Sequence, residues 1–463
     1  MQKYENFEPL KVFLEICAIP HASFKTELLK EWIIQEARKF GANVQCDNTG
    51  NVLCTKGSPK LCLQGHYDMV YVGESAKFQV KPKFVKREGK AFLCAEDSSL
   101  GADNGAALAC MLLALRDCQH IECLFTIDEE VGMLGAREIA LTLQSPYMLN
   151  CDSEEISEVV YSCAGGYDLE CKARFKTLPI PKDCELIEIY TQGFVGGHSG
   201  IEIHKGIPNA IIELAKVAKA LVECGALIIE FLGGEKRNSI PVNATLLIAI
   251  PQSQIIQCKE VIERIQTRKL KDSAYFEITP IKLAQLNAER QRYFDMCPLL
   301  EALLGIQNGV IVADKGEPIL SSSLGILQQT SKGEEVQVHF IAMGRGNQES
   351  LMQENITKEK EKLRALGFDV ELLDYYAPWE REESELLNVV WEIVSKHNPK
   401  AKLKSIHAGL ECGILKQKYP AISFVSIGPT ILHPHSVKEE MDLESFVQFE
   451  KILKEVLKRF QAF

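Results

Sequence analysis

The sequence predicts an α/β protein: a discontinuous domain with a mainly parallel central sheet flanked by helices, interrupted by an inserted α+β domain of ferredoxin-like halves. Three observations carry this. Short apolar runs alternate with helical periods over residues 1–166, the order changes to β-α-β-β-α-β in the middle, and the first pattern returns over residues 381–463. Helices between buried strands give βαβ units and a parallel sheet. The β-α-β-β-α-β order is the ferredoxin-like one.

In the first part, residues 25–40 (KTELLKEWIIQEARKF) are amphipathic at helical period and stop at Gly41. Residues 61–64 read as a short apolar strand, and 104–116 (NGAALACMLLALR) as a helix apolar nearly all round, suited to packing on a sheet. Residues 121–127 and 146–151 read as further strands. The insert, residues 167–380, gives strands at 186–191, 226–232, 244–250 and 274–279 with helices at 208–224 and 254–266. A second, looser set follows: strands at 321–329, 336–342 and 369–374 and a helix through 347–366. Then come a helix at 384–396 with Ser384 as its N-cap, a buried strand at 422–427 and an amphipathic helix at 443–460.

A chain of 463 residues exceeds one compact core, so more than one domain is expected. The net charge of −11, with no basic stripe interleaved with aromatics, argues against nucleic-acid binding. No apolar run approaches the ~20 residues that span a bilayer. The segment MQKYENFEPLKVF lacks the pattern of a signal peptide, so a cytoplasmic location is expected. There the 16 cysteines, with no CxxC pair, read as buried small hydrophobes rather than disulfides.

Ligands of open α/β sheets bind beyond the carboxyl ends of the strands. Four predicted strands lead there into polar residues: Gly65-His66-Tyr67-Asp68, Asp128-Glu129-Glu130, Asp152, and Gly428-Pro429-Thr430 followed by His433-Pro434-His435. Asp103 sits where a helix begins, in Gly101-Ala102-Asp103-Asn104-Gly105. Singly, each has an ordinary reading: Asp103 as a helix cap, Asp68 as a turn closer, Glu129 or Glu130 as solvated acids. Together they form the nitrogen and oxygen donor set of zinc or a similar divalent ion. With a shared carboxylate such a set can hold two ions ~3.5–4 Å apart, whose charge offsets the mutual repulsion of the acids.

GHYDMV, GADNG, DEEVGMLGA, NCDSE, GGHSG, HAGLECG and GPTILHPHS, in this order, resemble the M20 family of metallopeptidases, and within it the bacterial aminoacyl-histidine dipeptidase branch. The resemblance spans nearly the whole chain, including the place of the insert. It implies a di-zinc dipeptide hydrolase, with manganese and cobalt sharing such ligands, and a homodimer. His66 and Asp152 would hold one metal, Glu130 and His435 the other, and Asp103 would bridge them with a water between the ions. Asp68 would orient the His66 imidazole. Glu129 would be the general base, facing away from its neighbour Glu130 because adjacent side chains at a strand end point to opposite sides.

In the insert, the resemblance makes His198, in Gly196-Gly197-His198-Ser199-Gly200, the residue that stabilises the oxyanion. It makes Asn238 and the backbone at Gly409 substrate contacts, and Arg345 the partner of the substrate's terminal carboxylate. His407 and Glu411 are expected to be supporting residues. Asp128 has no assigned role beyond a supporting or turn-capping one, and His433 reads as a substrate contact or as merely exposed. The segment CAEDSSL, before GADNG, departs from the His-Thr-Thr type stretch of related dipeptidases, leaving the local substrate contacts open. The expected substrates are unblocked dipeptides, with Xaa-His among them. The alternatives are an N-acyl amino acid amidohydrolase and a non-catalytic binding protein on the same fold.

Overall fold

A computed structural model describes residues 4, 6–73, 77–267 and 270–463. The chain divides into two compact units. One comprises Met1–Cys163, Trp379–Ile406 and Leu410–Phe463; the other comprises Ala164–Pro378 and the short passage His407–Gly409.

The first unit is built on an eight-stranded sheet. From edge to edge its strands are Asn43–Cys46, Val52–Lys56, Ile121–Thr126, Leu61–His66, Tyr147–Asn150, Ser423–Ser426, Glu158–Cys163 and Lys402–Ile406. The four central strands, from Ile121–Thr126 to Ser423–Ser426, are parallel to one another. Every residue of Ile121–Thr126 and Leu61–His66 is buried, so both faces of the sheet are covered. That is why these strands read as continuous apolar runs rather than alternating ones. Helices Glu8–Ala18, Glu27–Lys39, Ala102–Asp117, Glu385–His397 and Leu443–Arg459 share one core with the sheet, through side chains such as Phe13, Leu29, Val390, Phe446 and Phe449. The Ser384 side chain caps the fourth of these, accepting the Leu387 amide at 3.1 Å. A separate four-stranded antiparallel sheet joins Ile431–Leu432, Glu440–Asp442, Lys90–Ala95 and Pro82–Arg87 in that order.

The second unit carries a ten-stranded antiparallel sheet. Cys184–Gln192, Leu227–Gly233, Ala244–Pro251 and Tyr275–Ile281 lie in the spatial order fourth, first, third, second, with helices Ala210–Glu223 and Ile255–Thr267 in the two crossovers. This is the ferredoxin-like arrangement. Four of the remaining six strands repeat it. Asp369–Tyr376 pairs with Gly165–Pro179, which pairs with Glu335–Gly346, which pairs with Glu317–Lys332. The first strand of this second half is therefore Gly165–Pro179, which precedes the whole first half in sequence. The sequence reading lacked that strand. GGYDLECKARFKTLP is half-buried and alternating, and its charges on the solvent side hide its apolar side.

Among the described residues no helix is long and apolar enough to cross a membrane. All 16 cysteines are free thiols, most of them buried.

Candidate active site

The carboxyl ends of the central parallel strands deliver His66, Glu129, Glu130 and Asp152 to a single cluster within the first unit, joined there by Asp103 and His435. His66 ends the strand Leu61–His66 and is 1% exposed. Gly65 before it admits the side chain of Asn104, whose Oδ1 a Cβ would strike. Asp152 follows Tyr147–Asn150, and Asn104 Nδ2 donates to its Oδ1 at 2.6 Å and to the Cys151 carbonyl at 2.9 Å. Asn104 is thus a residue of the site that sequence reasoning passed over.

Asp103 lies in the first turn of Ala102–Asp117, but its φ/ψ of −82°/106° is not helical. The N-cap residue is Gly101 at φ 73°, which has no side chain of its own to cap the helix. Asp103 is therefore not the cap its position suggested. Its carboxylate lies between two imidazoles, with Oδ1 3.1 Å from His66 Nε2 and Oδ2 3.0 Å from His435 Nε2. His66 Nε2 also stands 3.3 Å from Asp152 Oδ1, and His435 Nε2 stands 2.9 Å from Glu130 Oε2.

The triple acid stands differently from the sequence expectation. The strand ends at Thr126, and Asp128 is left-handed at φ 50°. Glu129 and Glu130 follow in a single 3-10 turn, not at an extended strand end. Opposite-facing side chains are therefore not enforced, and both acids bring a carboxylate oxygen to His66. Asp128, unassigned from the sequence, accepts the Phe24 amide at 2.7 Å and so ties the His21–Phe24 loop to the turn. Asp68 is 1% exposed. Its Oδ1 accepts the Glu129 amide at 2.9 Å and stands 3.4 Å from His66 Nδ1, while its Oδ2 accepts from Ser23 Oγ at 2.8 Å. The His66 Nδ1 also lies 3.0 Å from the Asp68 carbonyl, which fixes the ring with Nε2 toward Asp103 and Asp152.

Among the described residues, ligand atoms of three groups lie within 4.8 Å of one another: His66–Asp103–Asp152, Asp103–Glu130–His435 and His66–Glu129–Glu130. The first two share Asp103. Donors ~2.0–2.2 Å from a tetrahedral zinc stand about 3.3–3.6 Å apart. The separations of 2.9–3.3 Å seen within those two groups lie close to this. Glu130 Oε1 is buried without a hydrogen-bond partner. Two imidazoles, three carboxylates and an orphaned carboxylate oxygen fit a pair of divalent cations.

Burial and mutual charge set the electrostatics of the metal-free cluster. Burial raises the Glu129 pKa well above the ordinary value, with Asp152, Glu130 and Glu411 adding to it and His66 opposing. Burial and the Asp103 charge push Glu130 up to about 7, against the hydrogen bond from His435. Burial works against protonation of His435, but Asp103 and Glu130 outweigh it and push its pKa up to about 11. Asp103 is held below the ordinary range because its imidazole hydrogen bonds outweigh its burial. Beneath the cluster, the fully buried Glu411 accepts from Gln64 Nε2 at 2.5 Å and Thr126 Oγ1 at 2.7 Å. It is a supporting residue, pushed up to about 7 first by burial.

The remaining candidates lie in the second unit. The strand Gly197–His198 pairs with Ser239–Ile240, and the Asn238 carbonyl accepts the Ser199 amide at 3.0 Å, so the glycine loop and Asn238 are joined. His198 Nδ1 accepts the Gly200 amide at 3.1 Å and the Ile201 amide at 3.0 Å, which leaves Nε2 to carry the proton of the neutral ring. Arg345 is 5% exposed. Its Nη1 donates to the Tyr376 hydroxyl at 3.3 Å, its Nη2 meets Met343 Sδ at 3.6 Å, and its Nε is buried without a partner. A Cβ on Gly200 would press on the Arg345 side chain, and one on Gly409 on the Tyr376 ring. His407 receives Ser321 Oγ–H on Nε2 at 2.7 Å and donates from Nδ1 to Asn347 Oδ1 at 2.6 Å. His433 is exposed and left-handed at φ 53°, outside the three ligand groups.

The chain is 31% identical to the cytosol non-specific dipeptidase of Escherichia coli K12, over 97% of each. The aminoacylhistidine dipeptidase of Vibrio alginolyticus superposes with a TM-score of 0.80 over 99% of both chains at 28% identity. A tripeptidase of Staphylococcus aureus shares the fold, with a TM-score of 0.59 over 98% of both chains at 17% identity. Residues 62–459, which contain all the clustered acids and imidazoles, match the profile of peptidase family M20/M25/M40, and the chain belongs to that family.

Proposed function

We propose that the protein is a metal-dependent dipeptidase cleaving the peptide bond of unblocked dipeptides, Xaa-His among them, with Glu129 as general base. The observation that carries the reading is the pair of ligand groups, His66–Asp103–Asp152 and Asp103–Glu130–His435, overlapping at one carboxylate. The names of the E. coli and V. alginolyticus relatives supply the substrate class. Zinc is the proposed metal, with manganese and cobalt suited to the same donors. We place the enzyme in the cytoplasm, as a homodimer.

His66, Asp152, Asp103, Glu130 and His435 would hold two divalent cations, which when bound would supply Lewis-acid polarisation of a carbonyl and acidification of a water. Glu129 is the acid left over from both overlapping groups. It is assigned to take the water's proton and return it to the leaving amine. Asp68 anchors the backbone that carries Glu129 and orients His66 at the same time. From the second unit, the Nε2–H of His198 is assigned to the oxyanion and Arg345 to the terminal carboxylate. Asn238 and the Gly409 backbone are assigned to the rest of the substrate. A buried guanidinium whose named partners are a phenol and a thioether gains most from an arriving carboxylate.

The test is a panel of free dipeptides against N-acetyl amino acids, with and without chelator. Metal-dependent cleavage of the dipeptides is expected. Preference for the acetylated compounds would favour an amidohydrolase instead.

A further inference from the structure

His435 stands in the connection between Ile431–Leu432 and Glu440–Asp442, two paired strands of the small antiparallel sheet. Four residues beyond it lies Glu439, 2% exposed, whose carboxylate makes no bond within its own loop but reaches the start of the Ala102–Asp117 helix. Its Oε2 accepts the amides of Leu100 at 2.7 Å and Gly101 at 3.0 Å. Its Oε1 accepts those of Ala102 at 2.8 Å and Asp103 at 3.3 Å. A helix start leaves its opening amides, here those of Gly101, Ala102 and Asp103, without intrahelical partners, and a neighbouring side chain commonly caps them. Here the cap position is Gly101, and the Asp103 carboxylate is turned to His66 and His435. A carboxylate from more than 300 positions along the chain takes over these three and the Leu100 amide.

We propose that Glu439 is a positioning residue that locks the hairpin bearing His435 to the backbone bearing Asp103, and so sets the shared carboxylate against both of its imidazoles. This rests on the reading of Asp103 and His435 as metal ligands. The lock is supported on its other side, because Glu440 pairs with Cys94 in the strand Lys90–Ala95, which leads toward the same helix start. A carboxylate suits the task because both oxygens only accept. A glutamine would turn an NH2 group against two amide donors, and an aspartate would fall short of them.

The experiment uses the full chain, stripped of metal and titrated with Co2+, for the wild type, Glu439→Gln and Glu439→Asp. Affinity is read by chelator competition and ligand geometry by the Co2+ absorption spectrum, with thermal unfolding of each metal-free protein alongside. Removing a partner that orients ligands typically weakens metal affinity roughly 10- to 100-fold. That loss, with a changed Co2+ spectrum, is expected for Glu439→Gln, and a smaller loss for Glu439→Asp. If the Gln variant does not fold, the Asp variant is read alone and the same two signatures are required of it. Variants that unfold earlier but keep the wild-type affinity and spectrum overturn the proposal, because the residue would then serve only the fold. A wild type that takes up no metal overturns the ligand reading itself, a failure visible before any variant is examined.

Discussion

Asp68 accepts the backbone amide of Glu129 at 2.9 Å with the same oxygen that faces the His66 imidazole. One buried carboxylate therefore sets both the ring proposed as a metal ligand and the turn that carries the proposed general base. Replacing it with Asn keeps the shape but removes the charge and one acceptor. Asp68→Asn is expected to lower kcat/KM roughly 10- to 100-fold, the usual effect of losing a group that orients a metal-binding histidine. Steady-state kinetics at saturating metal check this.

Glu129→Gln separates proton transfer from metal binding. The amide cannot take a proton, so turnover should fall by roughly 10²–10⁴-fold. Metal content, measured by elemental analysis, should stay at the wild-type value because the two groups that overlap at Asp103 lack Glu129.

Arg345 is expected to read the free carboxylate of the substrate. Hydrogen bonds to charged groups contribute about 1.5–3 kcal/mol, roughly a 10- to 100-fold effect. Wild type should prefer a dipeptide over its C-terminal amide by about that factor. Arg345→Met should lose the preference mainly through KM, as paired kinetics on the two substrates would reveal.

The fold also stores a pH dependence at His407. Burial first, and then the nearby Arg345 charge, push its pKa down to about 4. An unfolded histidine titrates near ~6.5. Between those values the unfolded chain binds the extra proton, so this contribution is complete above pH ~6.5 and is lost as pH falls toward 4. Denaturant unfolding of the metal-free protein at pH ~7.5 and ~5 should show a smaller acid loss for His407→Gln than for wild type.

The central sheet was legible because its strands are buried on both faces and are followed by polar residues at their carboxyl ends, as at His66 and Asp152. The helix carrying Asp103 was legible from its unbroken apolar run, but the non-helical Asp103 was not, because a dihedral angle leaves no composition signal. Asn104 and Glu439 were missed for a related reason. Each acts through contacts with distant segments, and in sequence a buried glutamate looks like a solvated one. The strand Gly165–Pro179 was hidden because its partners come more than 110 residues later. Likewise, only the folded chain places His407–Gly409 with the second unit.

The shared role of Asp103 is the claim on which the rest depends, and metal stoichiometry tests it most directly. Metal-free wild type, Glu130→Ala and Asp103→Ala are each titrated with zinc and their bound equivalents counted. The structure predicts two equivalents for wild type, a single tight one for Glu130→Ala and no tight one for Asp103→Ala, since both ligand groups contain that carboxylate. Two tight equivalents retained by Asp103→Ala would contradict it.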